Sequence, residues 1–208
     1  DPVYEAQAGE KETDFRSYLL KAKATNPDAL VCSGLVDETV RCLVQSYEVG
    51  IPKSVARVAN SVASKVEVPT NAGKAAVGVS YAAAFAASDT RPIAKKFVKH
   101  IKSRYGVVPG HDFSQMEDLL TMLKPALEKA EKGFSGDLAS DRKAVRDSIA
   151  GITNFTGLAS GPISFCAAGT PECRDGNRTP VMIEYTKGGK NWKTKVAGTV
   201  TFNASAGL

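Results

Sequence analysis

The chain has 208 residues, a mass of 22.0 kDa and a hydrophobic fraction of 43%, which is enough for one full domain or two small ones and too apolar for a disordered or fibrous protein. Its 27 Lys and Arg against 22 Asp and Glu leave a net charge of +5, spread along the sequence rather than run together, so nothing points to a nucleic-acid partner. No run approaches the ~20 apolar residues of a membrane-spanning helix.

The opening Asp1-Pro2-Val3-Tyr4-Glu5 has neither the basic start nor the apolar core of an export signal, which is expected to have been removed or to lie upstream. Residues 3–6 read as a strand. Thr13 or Asp14 can cap a helix over 15–24, with Phe15, Tyr18, Leu19 and Ala22 on one face and Asn26-Pro27 at its end. Ala29-Leu30-Val31-Cys32 is the kind of apolar run that is buried in a parallel sheet, and Ser33-Gly34 turns the chain after it. A helix follows from Asp37, with Val40, Leu43, Val44 and Tyr47 on one face and Gly50 placed to stop it.

Further strands are expected at 54–59 and 75–80. Strands alternating with helices of this length make parallel β-α-β units, so the class is α/β. Ligands of open parallel sheets sit past the carboxyl ends of the strands. That places candidate sites at 33–36, at 60–64 and from Tyr81 onward.

From Asp89 the pattern becomes helical. Asp89-Thr90 and Pro92 open a helix with Ile93, Phe97, Ile101 and Tyr105 as its buried stripe, while Lys95, Lys96, Lys99 and Lys102 form a solvated face. A long helix over 115–132 presents Met116, Leu119, Leu120, Leu123 and Leu127, kinked at Pro125. A shorter one starts near Ser140 and carries Val145, Ile149 and Ile152 inward. The tail returns to strands at 161–165, 181–185 and 192–196, the last two joined through Lys187-Gly188-Gly189-Lys190, and is expected to form a small antiparallel appendage.

Four cysteines fall into two close pairs, Cys32 with Cys42 and Cys166 with Cys173. The Gly- and Pro-containing turn between Cys166 and Cys173 allows a disulfide there, which would imply an oxidising compartment. Zinc ligation and free buried thiols are the alternatives, zinc being disfavoured by the absence of a Cys-x-x-Cys spacing. With two histidines, His100 and His111, and no Gly-x-Ser-x-Gly, phosphate-loop or dinucleotide motif, no catalytic residue, metal ligand or cofactor is expected and the chain is not read as an enzyme.

Several segments in order resemble a known family: Thr13-Asp14-Phe15, Asn26-Pro27-Asp28-Ala29-Leu30-Val31, Val49-Gly50-Ile51-Pro52, Gly73-x-Ala75-Ala76-x-Gly78-Val79, and Arg91-Pro92 through Phe97-Val98 to Tyr105-Gly106. The likeness continues through Ala126-Leu127-Glu128-Lys129-Ala130, Val145-Arg146-Asp147-Ser148-Ile149 and residues 155–165. Together they resemble type I periplasmic solute-binding proteins of ABC transporters, more narrowly the branched-chain amino acid (leucine/isoleucine/valine) family, in its C-terminal portion. The resemblance implies an α/β fold of two parallel-sheet, Rossmann-like lobes joined by a hinge, here lacking most of the first lobe. Residues 1–82 would be a second-lobe segment, 83–160 a mainly helical return to the first lobe, and 161–208 the crossover back.

The function implied is the substrate-binding component of an ABC uptake system, exported to the periplasm behind a signal peptide. It would bind a small organic solute by hinge closure and deliver it to a membrane permease, as a monomer once the missing N-terminal lobe segment is present. A ligand-sensing regulatory module on the same fold is the alternative. Carried over by position, ligand contacts fall on Leu35, Asn60, Ser61, Tyr81 and Glu117. Where the family's amino-acid binders place an aromatic residue and an acid for the ammonium group, this chain has Leu35 and Ala59 or Asn60, Val77 stands where a glutamate is common, and Glu117 replaces a tyrosine. The ammonium partner is thus missing or supplied elsewhere, and an apolar or aromatic carboxylate becomes a comparable ligand.

Overall fold

The computed structural model describes residues 1–9, 12–159, 162–165 and 180–199. They divide into two compact units, one of Asp1–Ala83 with Met182–Gly198 and one of Ala84–Val181 with the chain from Thr199. Cys166 and Cys173, where a disulfide is expected, and Gly161 lie outside the described residues.

The first unit is built on a five-stranded sheet in the order β1 (Ala29–Cys32), β2 (Ala56–Ala59), β3 (Val79–Ala83), β4 (Val181–Lys187) and β5 (Lys193–Thr199). β1, β2 and β3 run parallel, with Cys32 opposite Ala59 and Ala59 opposite Tyr81. Helix α1 (Arg16–Ala24) precedes β1 and α2 (Val36–Glu48) follows it, as the alternating pattern predicts. A 3-10 turn (Ser61–Ser64), the short α3 (Glu67–Ala72) and a second 3-10 turn (Gly73–Ala76) lead from β2 to β3.

Polar side chains fix these connections. The Gln45 carboxamide accepts the Phe15 N–H at 2.6 Å and donates to the Thr13 carbonyl at 2.9 Å, so α2 holds the start of α1. The buried Arg57 guanidinium donates to the carbonyls of Ile51 at 2.8 Å and Val55 at 3.2 Å, and its burial pulls its pKa down. These bonds replace water for a cation inside the sheet layer.

Several expectations need correction. Residues 3–6 form no strand, and Val3 is 71% exposed. β3 starts at Val79 rather than at 75, because Gly78 takes a left-handed φ of +82° and turns the chain out of the 3-10 segment just before the strand. The C-terminal strands are not a separate appendage. They complete the sheet, beginning where the Gly78 N–H donates to the Tyr185 carbonyl at 2.8 Å. Where the strand at 161–165 was expected, the described residues show an antiparallel bridge between Ile163 and Phe155.

Tyr185 is the centre of this unit. It is 1% exposed, its ring lies 5.3 Å from that of Tyr81 and 6.1 Å from that of Trp192, and its hydroxyl donates to the Ala63 carbonyl. Burial pushes the Tyr81 hydroxyl up from 10.0 to about 12, partly offset by its hydrogen bond with Tyr185. Burial, then the neighbouring Tyr81, raises Tyr185 as well. In the unfolded chain both lose their protons near the ordinary value of about 10. Above that pH the unfolded state binds fewer protons than the folded one, so stability is full below about pH 10 and falls as pH rises towards 12. A tyrosinate absorbance titration should show a late component that Tyr81→Phe reduces, and a folded protein whose tyrosines all ionise together near 10 would contradict this.

Among the described residues the second unit holds three helices, α4 (Pro92–Tyr105), α5 (His111–Glu131) and α6 (Leu138–Ala150). On α4 the buried positions are Ala94 and Ile101, whereas Ile93 and Tyr105 face solvent. Phe85, Ala94 and Leu158 form a small core with Phe97 and Val98 packed against it. α5 begins four residues earlier than the sequence pattern suggests, and its apolar side is not its buried one. Ser114, Asp118, Met122, Ala126 and Ala130 are buried, while Met116, Leu119, Leu120 and Leu127 are exposed. The buried stripe is small because α6 packs closely on it, with the Ser148 hydroxyl donating to the Ala126 carbonyl at 2.8 Å. Val145, Ile149 and Ile152 are accordingly only half-buried.

Asp118 is 4% exposed, and its two carboxylate oxygens accept the N–H groups of Leu158 at 2.6 Å and Ala159 at 2.7 Å. Arg91, paired with Asp89 at 2.7 Å, donates to the Leu158 carbonyl at 2.6 Å. A charged clamp therefore holds the chain at 157–159.

Candidate functional site

β1 and β2 end side by side, and the turns that follow them form the candidate site. After Cys32 the chain passes through Ser33-Gly34-Leu35 into α2, and after Ala59 Asn60 opens the first 3-10 turn. The Asn60 amide donates to the Gly34 carbonyl at 2.9 Å, and the Thr39 hydroxyl reaches the same oxygen at 3.4 Å. The two turns are thereby tied together at one residue. Glycine is required there, since a methyl group on Gly34 would lie 2.8 Å from Cβ of Glu38.

A disulfide between Cys32 and Cys42, with Cα atoms 5.9 Å apart, joins the last residue of β1 to the middle of α2. It encloses Gly34, Leu35 and Glu38. Closing an interval of 10 residues restricts the unfolded chain by about 2–3 kcal/mol in the chain-entropy account. The sequence shows the two cysteines as a close pair, but only the packing of α2 against β1 brings them within bridging distance.

The structure treats the five sequence-derived contact residues differently. Leu35 is 72% exposed at the β1 turn, free for a ligand to cover. Asn60 and Ser61 are partly buried at the β2 turn, and Asn60 spends its amide N–H on Gly34. Tyr81 is 4% exposed within the sheet and packs on Tyr185. Glu117 belongs to the second unit, where it is exposed on α5. The β1 and β2 turns thus bring Leu35, Asn60 and Ser61 into one neighbourhood.

Glu38 was not among the residues the sequence singled out. It lies in the first turn of α2, and its Oε2 is buried without a hydrogen-bond partner. Among the described residues no group of three or more His, Cys, Asp and Glu is arranged to hold a metal, and no described helix is long and apolar enough to cross a membrane. In the second unit, a shallow open depression of about 510 Å³ lies among Lys95, Val98, Lys99 and Lys102 on α4. These lysines are exposed and no buried polar group accompanies them, which is the solvated face expected from sequence.

Residues 3–174 match the sequence profile of the periplasmic binding proteins. The chain belongs to the periplasmic binding protein family. Solved structures share its fold: a leucine binding protein LivK from Thermotoga maritima at 24% identity, covering 93% of this chain and 50% of that one with a TM-score of 0.74. The branched-chain amino acid transporter substrate binding protein LivJ from Streptococcus pneumoniae, solved with isoleucine, is similar at 22% identity, 94% and 51% coverage and a TM-score of 0.74. A solute binding protein from R. palustris in complex with benzoate gives 17% identity, 95% and 51% coverage and a TM-score of 0.72. The chain spans about half the length of each. No curated protein sequence matches it. The α/β class and the type I periplasmic-binding-protein fold follow from this match and from the parallel β1–β3 arrangement.

Proposed function

We propose that this periplasmic binding protein is the solute-binding component of an ABC uptake transporter, non-enzymatic, exported to the periplasm and working with a membrane permease. The solute is an amino acid or an apolar or aromatic carboxylate, the classes bound by the LivJ and R. palustris proteins. It sits on the β1 and β2 turns, with Leu35 offering apolar surface and Asn60 and Ser61 offering hydrogen bonds. The observation that carries this reading is the placement of those turns at the carboxyl ends of adjacent parallel strands in a family of binding proteins.

In this reading residues 1–82 belong to the second lobe, 83–160 to the first, and 161–208 return to the second. The lobes close on the solute because contacts from both exist only in the closed state. The exposed apolar side of α5, with Phe113, Met116, Leu119 and Leu120, supports a first lobe whose remaining layer packs there, since helices of a domain bury their apolar face against a second layer. The complete protein is a monomer.

Native mass spectrometry of the unreduced full-length protein tests this. The expected result is a monomer that releases a small organic molecule on activation, or that takes one up from a mixture of amino acids and aromatic acids. A full-length protein that neither carries nor takes up any such molecule would overturn the reading.

A further inference from the structure

α4 carries Lys95, Lys96, Lys99, Lys102 and Arg104 and no acidic residue. Setting these five aside leaves 22 of the 27 Lys and Arg against 22 Asp and Glu, so this one helix accounts for the net charge of +5. No long run marks the cations in the sequence, but the helix gathers them. Lys95, Lys99 and Lys102 stand at i, i+4 and i+7 on one face, where they line a single shallow depression of about 510 Å³ with Ala87 and Val98. All five cations are exposed, while the helix buries Ala94 and Ile101 on another side. Among the described residues no acid pairs with any of the four lysines, and the Arg104 guanidinium lies over the Tyr105 ring. Burying ammonium groups without partners is prohibitive, so this face stays at the surface of the whole protein.

We infer that this face of α4 rests on an anionic phospholipid surface. Charge complementarity sets the sign of the partner, and the chemistry of the donors sets its kind. Protein interfaces are depleted in Lys and favour Arg, whose planar fork pairs with fixed carboxylates at two points. Lysine is a mobile point charge on a flexible stem, which suits the diffuse field of a fluid layer of phosphodiester headgroups. Tyr105, three residues beyond Lys102 and 59% exposed, adds an amphipathic ring of the kind that sits at headgroup level. Each lysine near such a surface strengthens binding about fivefold, so the association is reversible and needs no membrane-crossing helix. The inference concerns the helical unit alone and does not depend on any solute, so its failure would leave the solute-binding reading untouched.

The test is flotation of the full-length protein with vesicles of phosphatidylcholine alone or mixed with an equal part of phosphatidylglycerol. The expected result is binding to the mixed vesicles only, lost as salt rises from about 0.01 M to about 1 M and the screening length falls from about 30 Å to about 3 Å. The triple variant Lys95→Gln, Lys99→Gln, Lys102→Gln should bind the mixed vesicles about 100-fold more weakly. A control with the same net charge, Lys21→Gln, Lys53→Gln, Lys132→Gln, alters exposed lysines elsewhere and should change binding by less than about fivefold. Equal losses in the two triple variants would overturn the assignment to α4, since net charge alone would then explain the binding. Failure of the wild-type protein to float with the mixed vesicles at low salt would overturn the lipid assignment whether or not the variants fold. Retention of that protein on immobilised poly-L-glutamate, lost in the α4 triple variant, would then identify an acidic protein surface as the partner instead.

Discussion

Tyr185→Ala is expected to destabilise the sheet-bearing unit by about 3–5 kcal/mol, the range for deleting a fully buried aromatic side chain. The loss has three sources: the ring packs on Tyr81 and Trp192, its hydroxyl supplies the donor for Ala63, and the ring fills the centre of a sheet whose fourth strand it belongs to. Tyr185→Phe separates these contributions. It keeps the packing and leaves the Ala63 carbonyl without its donor, at about 1–2 kcal/mol. Denaturant melts followed by Trp192 fluorescence read both, because Trp192 lies against the altered ring. Equal losses in the two variants would mean that the hydroxyl, and not the aromatic contact, holds β4 in place.

Asp118→Ala should cost about 3 kcal/mol or more in the helical unit, since two backbone N–H groups on buried residues lose a charged acceptor together. Asp118→Asn keeps one acceptor oxygen and turns an amide N–H₂ towards the other donor, so an intermediate loss of about 2 kcal/mol is expected. The same carboxylate accounts for the glycine at 157, where a methyl group would overlap it. Chemical denaturation followed by far-ultraviolet circular dichroism is the measurement. A loss below about 1 kcal/mol for Asp118→Ala would show that water or another group takes over the two N–H donors.

How legible this was in the sequence varied with the kind of signal. β1 and α2 were readable because Ala29-Leu30-Val31-Cys32 is bounded by Pro27 and Gly34, and because Gly50, with φ +71°, ends the helix where the pattern places it. The alternating residues of β4 identified a strand but carried no information about which sheet it joins, which depends on the long-range bond from Gly78 to Tyr185. The buried face of α5 does not follow from its pattern: its most apolar side stays exposed, whereas close packing on α6 selects the side of Ser114, Asp118, Ala126 and Ala130. α3 went unseen because Pro69 reads as a breaker, although within the first turn of a helix its missing N–H costs nothing.

The site was half legible. Topology located the turns after β1 and β2, and the family resemblance pointed to Leu35, Asn60 and Ser61. Glu38 escaped notice because an acid in the first turn of a helix has an ordinary structural use, and its buried, unpaired Oε2 shows only in the structure. Asp118 escaped for the opposite reason, since its partners lie about 40 residues away along the chain.

The Cys32–Cys42 bond bears on how the protein is prepared. It encloses Leu35 and Glu38 in a covalent ring with the end of β1, so a sample made in a reducing cytosol and one folded under oxidising conditions share a sequence but not a chain connectivity. In the thiol form the first turns of α2 are tethered only by the Gly34 contacts and helix packing. Affinities measured on the two preparations therefore refer to different molecules, and the oxidation state of the batch belongs beside every binding constant.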